Sequence, residues 1–258
     1  MGLTFVDTHS HLYADEFKDE YVEAAERAVT QGVSTILLPN IDSSSYEAMM
    51  ALTTINADLF KPMIGLHPCS VKPETYKTEL DFVKQKLESD NYIGIGEIGM
   101  DLYWDKTTEG IQTEALELQC TWASERNLPV ALHTRNATKN VIQVVKKLNL
   151  KNLTGIFHCF GDGIEEAEDI IDMGFKLGIG GVLTFKNSGL DKVIKGIELE
   201  HLVLETDAPY LAPTPYRGKR NESSYVPLIA QKLADIKEIS IDKVAEITTR
   251  NAAELYRI

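Results

Sequence analysis

Seven side chains able to bind a metal or move a proton each sit beside a short apolar run. His9 and His11 stand in Asp7-Thr8-His9-Ser10-His11, His67 in Gly65-Leu66-His67-Pro68, and Glu97 in Gly96-Glu97-Ile98-Gly99-Met100-Asp101. His133 follows Val130-Ala131-Leu132, His158 follows Gly155-Ile156-Phe157, and Asp207 follows Leu202-Val203-Leu204. Two histidines at i and i+2 of an extended segment share a face, so both imidazoles reach one ion. Asp7 shares their parity and is expected to orient a ligand. Imidazole with carboxylate is the donor set of a divalent transition metal. Singly, each residue has a plainer role: a hydrogen-bonded histidine at a strand end, a glutamate satisfying backbone donors between glycines, an aspartate forming a turn before Ala208-Pro209. Together, His9, His11, His133, His158, Glu97 and Asp207 exceed what one tetrahedral ion with an open position needs. They suit two ions, which in two-metal hydrolases lie about 3.5–4 Å apart and share a bridging ligand. Glu97 is the expected bridge. Asp207 is expected to be both a ligand and the acceptor of the proton from an attacking water. Softness favours Zn²⁺, Mn²⁺ or iron over Mg²⁺ at such a site.

One rim can gather these residues only if the elements alternate. Strand signals fall at Thr4–Val6, Ser34–Leu38, a run ending in Pro62–Gly65, Tyr92–Gly96, Leu128–Leu132, Thr154–Phe157, Phe175–Ile179 and His201–Leu204. Helical periodicity fills the intervals, at Asp15–Gln31, Ser44–Asn56, Tyr76–Glu88, Glu109–Asn127, Thr138–Leu148, Gly163–Met173 and Leu190–Lys195. Two further helices, Tyr225–Lys237 and Ile241–Tyr256, close the pattern. Eight strand–helix units predict an α/β fold, a (β/α)₈ TIM barrel, over residues 1–258 as a single domain; a doubly wound open sheet is the structural alternative. In a barrel, functional groups gather at the C-terminal ends of the strands, and all seven residues fall there. The sixth histidine, His201, starts a strand at the opposite end and reads as structural.

The 258 residues carry a formal net charge of −13, which works against general attraction to nucleic acid. A polyanionic substrate therefore needs bound cations and local basic groups. Arg135, Lys186 and Arg217 lie beyond strand ends and are expected to hold phosphate oxygens, with His67 assisting. Lys219 and Arg220 serve equally well as partners for acidic residues. Glu205 either orients a ligand histidine or pairs with Arg217 or Lys219. Tyr103 is expected to pack beneath its loop, whereas Trp104 could pack or stack on a base. No run is long and apolar enough to span a membrane. Three scattered cysteines without a CxxC pair, and no signal-peptide pattern, give the expectation of reduced thiols in the cytoplasm.

The motifs together resemble the TatD family of metal-dependent deoxyribonucleases, within the amidohydrolase-like barrels. To those above are added Leu132-His133-Thr134-Arg135, His158-Cys159-Phe160, Gly181-Val182-Leu183-Thr184-Phe185-Lys186, Leu204-Glu205-Thr206-Asp207-Ala208-Pro209-Tyr210-Leu211 and Pro215-Tyr216-Arg217-Gly218-Lys219-Arg220-Asn221-Glu222. The resemblance implies that Glu97 bridges two ions, with His9, His11 and Asp207 on one and His133 and His158 on the other. It implies Mg²⁺, where ligand chemistry favours Zn²⁺ or Mn²⁺. It also implies 3′→5′ exonuclease activity on DNA and a place in DNA repair. Met100, Cys69, Asn136 and the Ser223-Ser224 pair depart from the family pattern, none at an expected ligand.

The resulting expectation is a metal-dependent deoxyribonuclease acting on single-stranded 3′ ends, monomeric or weakly oligomeric. The alternative is an amidohydrolase-like enzyme cleaving a small ester, lactone or amide, for which the acidic surface is better suited. A metal-retaining scaffold accounts less well for a basic rim beside a complete ligand set.

Overall fold

The computed structural model describes residues 2–89 and 91–258. Strands and helices alternate in chain order: β1 (Phe5–Asp7), α1 (Tyr21–Thr30), β2 (Val33–Pro39), α2 (Tyr46–Ile55), β3 (Phe60–Ile64), α3 (Tyr76–Ser89), β4 (Gly94–Gly99) and α4 (Glu109–Arg126). There follow β5 (Val130–His133), α5 (Thr138–Leu148), β6 (Gly155–Phe157), α6 (Ile164–Asp172), β7 (Lys176–Ile179), α7 (Leu190–Lys195), β8 (Leu202–Leu204), α8 (Val226–Lys237) and α9 (Ile241–Tyr256). All eight strands form one parallel sheet in sequential order. The edges meet where the Thr8 N–H donates to Leu204 O at 3.0 Å, Asp207 N–H to His9 O at 2.9 Å and His11 N–H to Ala208 O at 2.7 Å. The sheet is thus a barrel, as the alternation predicts.

Parallel strands covered on both faces read as nearly unbroken apolar runs. One set of their side chains, among them Ile36, Ile64, Ile98 and Leu132, packs outward against the helices. The other set, Val6, Leu37, Met63, Ala131, Ile156 and Val203, fills the interior. Ala252 and Tyr256 of α9 join the interior set. Asn251 of the same helix donates to Leu199 O and Leu202 O at 2.7 Å each, fixing α9 across the starts of β1 and β8. The end opposite the histidines is therefore plugged, and access is from their side.

The structure corrects some boundaries. The helix expected from Asp15 is a 3-10 turn at Asp15–Phe17, then α1 from Tyr21, because Glu20 is non-helical at φ −138°. His201 ends a 3-10 turn before β8 rather than opening the strand. Among the described residues, no helix is long and apolar enough to cross a membrane.

Candidate metal centre and its rim

The barrel seam carries the first ligands. β1 ends at Asp7, and Ser10, between the two histidines, bridges to Ala208 across the seam. The Asp7 carboxylate accepts from the Thr206 N–H at 2.9 Å, the Thr206 hydroxyl at 2.6 Å and the His9 N–H at 3.3 Å. It holds main chain on both sides of the seam. Through the His9 N–H it positions a residue expected as a ligand by its backbone rather than by its ring. Burial pushes its carboxyl up to about 7.

Glu97 lies in β4, two residues before the strand ends at Gly99, and is almost fully buried. Its two oxygens face different histidines. Oε2 lies 3.1 Å from His9 Nε2 and 3.2 Å from His11 Nε2. Oε1 lies 2.7 Å from His133 Nδ1, 2.9 Å from His158 Nε2 and 3.2 Å from His67 Nε2. Burial works to raise this carboxyl, but the charges of His67, His158 and His9 outweigh it and hold it well below the usual range. Gly99 lets β4 end here: at φ +140° its main chain lies so close to β5 that a Cβ would sit 2.0 Å from His133 O.

The hydrogen bonds behind the rings decide which nitrogens are bare. Tyr13 donates its hydroxyl proton to Pro39 O, so its oxygen accepts from His11 Nδ1 at 2.8 Å. His11 Nε2 is left as a lone pair aimed at Glu97. Likewise His133 Nε2 donates to Asp101 Oδ2 at 2.9 Å, which turns Nδ1 inward. His67 has the opposite tautomer. The Cys69 N–H donates to its Nδ1 at 3.0 Å, so the proton sits on Nε2 and points at Glu97. His67 is thereby a donor for an anion, although it clusters with Glu97 and His133 at metal-site spacing. Burial lowers the His67 and His9 pKa values; His133 and His158 are raised because, against burial, Asp101 and Glu97 favour the charged His133 ring and Glu97 and Glu205 the charged His158 ring.

Asp207 sits just past β8 at φ +56°, a left-handed conformation in which a short polar residue is tolerated. Its Oδ1 is 3.8 Å from His9 Nε2 and 3.7 Å from His11 Nε2. Burial pushes its carboxyl up to about 6. Glu205, fully buried, has Oε1 3.6 Å from His158 Nδ1 and accepts from the Cys159 N–H at 2.5 Å. Its alternative partners Arg217 and Lys219 do not reach it. A Cβ at Gly178 would sit 2.2 Å from Glu205 Oε2, so only glycine leaves room for this carboxylate.

These donors fit a divalent metal. His9, His11 and Asp207 form one cluster able to hold an ion, and His9, Glu97 and His158 another. Ring nitrogens face carboxylate oxygens at 2.7–3.2 Å, and His9 Nδ1 and Glu205 Oε2 are buried without a hydrogen-bond partner. Among the described residues, every ion pair of Glu97, Asp101, Asp207 and Glu205 has a histidine as its partner. Burying several carboxylates with so little positive charge is costly, and a cation removes that cost.

The sequence matches the model of the TatD related DNase family over residues 6–257. The chain belongs to that family. It is 38% identical over 253 residues to the uncharacterized metal-dependent hydrolase YabD of Bacillus subtilis, covering 98% of each chain. It is 28% identical over 257 residues to the uncharacterized metal-dependent hydrolase YcfH of Escherichia coli K12, covering 98% of this chain and 96% of that protein. The crystal structure of the TatD homologue YjjV from E. coli superposes with a TM-score of 0.92 at 27% identity, covering 98% of both chains.

Around this TatD-family centre the basic residues divide. The Arg135 guanidinium lies 4.0 Å from the Tyr103 ring centroid and 5.3 Å from that of Trp104. Arg217 lies 4.1 Å from the Phe185 centroid. Arg135, Lys186, Arg217 and Lys219 are exposed and make no ion pair among the described residues. Arg220 instead pairs with Glu20 at 2.6 Å and donates to Glu16 O at 2.7 Å, so it fastens the loop after β8. Tyr103, expected to pack beneath its loop, is half exposed, because Arg135 rather than the core covers one face.

Four positioning residues were missed in the sequence: Asp101 behind His133, Tyr13 behind His11, and Gln112 and Gln119 of α4. Gln119 exchanges hydrogen bonds with Leu66 N–H and O at 2.7 and 3.3 Å, next to His67. Gln112 does the same for Asp101, at 2.8 and 3.2 Å. Asp101 was visible as the end of the Glu97 motif. The two glutamines are seven apart and so share a face of the helix that points inward, a signal that could have found them.

Proposed function

We propose that this protein is a metal-dependent hydrolase that uses two divalent ions to remove nucleotides from unpaired 3′ ends of DNA. The observation that carries this reading is the division of the Glu97 carboxylate, with Oε2 toward His9 and His11 and Oε1 toward His133 and His158. His9, His11 and Asp207 would hold one ion and His133 with His158 the other, with Glu97 shared. Bound there, such ions supply Lewis acidity and lower the pKa of water. The imidazole-rich donor set favours Zn²⁺ or Mn²⁺.

The remaining chemistry falls to the chain's own groups. Asp207, with its carboxyl pushed up by burial to about 6, takes the proton from the attacking water. Attack on phosphorus breaks the bond to the 3′ oxygen of the preceding residue, giving a shortened strand with a 3′ hydroxyl and a nucleotide 5′-phosphate. His67 Nε2–H, fixed in that tautomer by Cys69, donates to a phosphate oxygen. Arg135, Lys186 and Arg217 supply the positive charge that a chain of −13 otherwise lacks at its mouth.

The test is release of nucleotide from 3′- and 5′-labelled single strands, with metals added singly to chelated protein. Stepwise loss from the 3′ end, absent in Glu97→Ala, is expected. Intact strands with every metal overturn the reading. The net charge of −13 favours a second reading, hydrolysis of a small neutral ester, lactone or amide at the same centre. Turnover of such compounds without nuclease activity selects it.

A further inference from the structure

Beside the metal centre lies a cavity of about 200 Å³ that the chemistry above leaves unused. It opens between the turn after β3 and the loop after β4, and Cys69, Lys72, Asp101, Trp104, Asp105 and Thr108 line it. Asp101 joins it to the catalytic rim. One oxygen of that carboxylate receives His133 Nε2, and the other receives the N–H groups of Tyr103 and Trp104 at 3.0 and 3.1 Å. The placement of the aromatic pair is therefore tied to the placement of a proposed metal ligand.

Trp104 is 69% exposed at this wall. Leaving so large a ring in water forgoes the burial that would otherwise fix it. Its neighbour Tyr103 meets it edge to face, at 86° and 4.9 Å, and has Arg135 over its own ring. Arg135 lies farther from the indole centroid, at 5.3 Å, and most of the Trp104 surface stays exposed. The volume is below the roughly 300 Å³ at which pockets for drug-sized ligands begin, so it admits a single ring system rather than a base pair. Lys72, exposed and without an ion pair among the described residues, adds a positive charge at the edge.

Resting on the phosphodiesterase reading, we propose that this cavity is the subsite for the nucleobase of the terminal nucleotide, with Trp104 as its stacking face. Asp101, which lines the cavity and receives His133 Nε2, brings a ring stacked there beside the rim. The subsite demands an unpaired end, because a base held in a duplex is stacked on both faces. It is tolerant of sequence, because every base offers a π-face.

The experiment compares a single strand ending in an ordinary 3′ nucleotide with one whose last residue lacks a base. Wild type is expected to show a KM about five- to hundredfold lower for the ordinary end. Trp104→Ala should lose that preference, and Trp104→Phe should restore most of it. A second measurement needs no turnover. The chain has two tryptophans, so a deoxynucleoside 5′-monophosphate should quench indole fluorescence saturably in wild type and not in Trp104→Ala. Equal KM values for the two ends in wild type overturn the subsite and leave the nuclease reading standing. Quenching at Trp104 with no cleavage of any strand overturns the nuclease reading and supports the subsite. Neither cleavage nor quenching overturns both.

Discussion

Asp101 receives the Nε2 proton of His133 at 2.9 Å, and this one bond decides which nitrogen of the ring faces Glu97. The carboxyl is kept low, since His133 and the loop N–H groups outweigh the effect of burial. Carboxylates placed behind metal-bound imidazoles fix the tautomer and strengthen the ring as a donor. Asp101→Ala should therefore weaken metal binding by about 10–100-fold. Asp101→Asn, which keeps an acceptor but loses the charge, should lose less. Metal titration of chelated protein, read by bound-metal content, checks both; unchanged affinity in the alanine variant would refute the role.

His9 and His158 stack at 3.9 Å but belong to different halves of the proposed centre. His9→Ala and His158→Ala should each retain one ion of two. The ions kept should differ in affinity, and activity should fall further than the about hundredfold typical of changes behind a ligand. Metal-to-protein ratios after dialysis decide the matter. Loss of the same single ion from both variants would rule out a two-ion site.

Arg135 is held over Tyr103 and pairs with no carboxylate among the described residues, which leaves its charge for phosphate. Arg135→Ala should raise KM for single-stranded DNA about tenfold and reduce the slope of log KM against log salt by about one unit. A variant with an unaltered salt slope would place Arg135 outside the phosphate path.

Arg27 grips Glu222 with bonds of 2.6–3.1 Å. Burial opposes ionisation of Glu222, but the guanidinium and the Ser224 hydroxyl outweigh it and lower its pKa. A carboxyl lowered in the folded state stabilises above its unfolded value of about 4.3 and loses that contribution as pH falls through the folded value. Arg27→Met should cost about 1 kcal/mol at pH 7, because solvent screens the exposed guanidinium. The deficit should shrink below about pH 4. Urea unfolding at several pH values measures it; a deficit that stays constant with pH would contradict the linkage.

The barrel was legible because eight apolar runs separated by amphipathic stretches have few other ways to bury both faces. The metal-capable residues were legible because each stands at the end of such a run. What escaped was whatever depends on direction. Asp7 shares the parity of His9, yet its carboxylate is spent on Thr206, a residue 199 positions away. Tyr103 looked like packing, but Arg135 reaches over it from the next strand's loop. No periodicity announces a bond between loops, and the tautomer of His67 depends on the N–H of Cys69, which the identity of the residue does not disclose.

The seam between β1 and β8 also bears on how the protein is made. Asp7 and Thr206 are joined across 199 residues. At about 5–20 residues per second, translation separates them by about 10–40 s. For that interval the growing chain presents His9 and His11 without Asp207 and with one edge of β1 uncovered. Closure of the barrel therefore waits until Thr206 has been made, and a ribosome stalled before Asp207 carries a chain whose seam is unpaired.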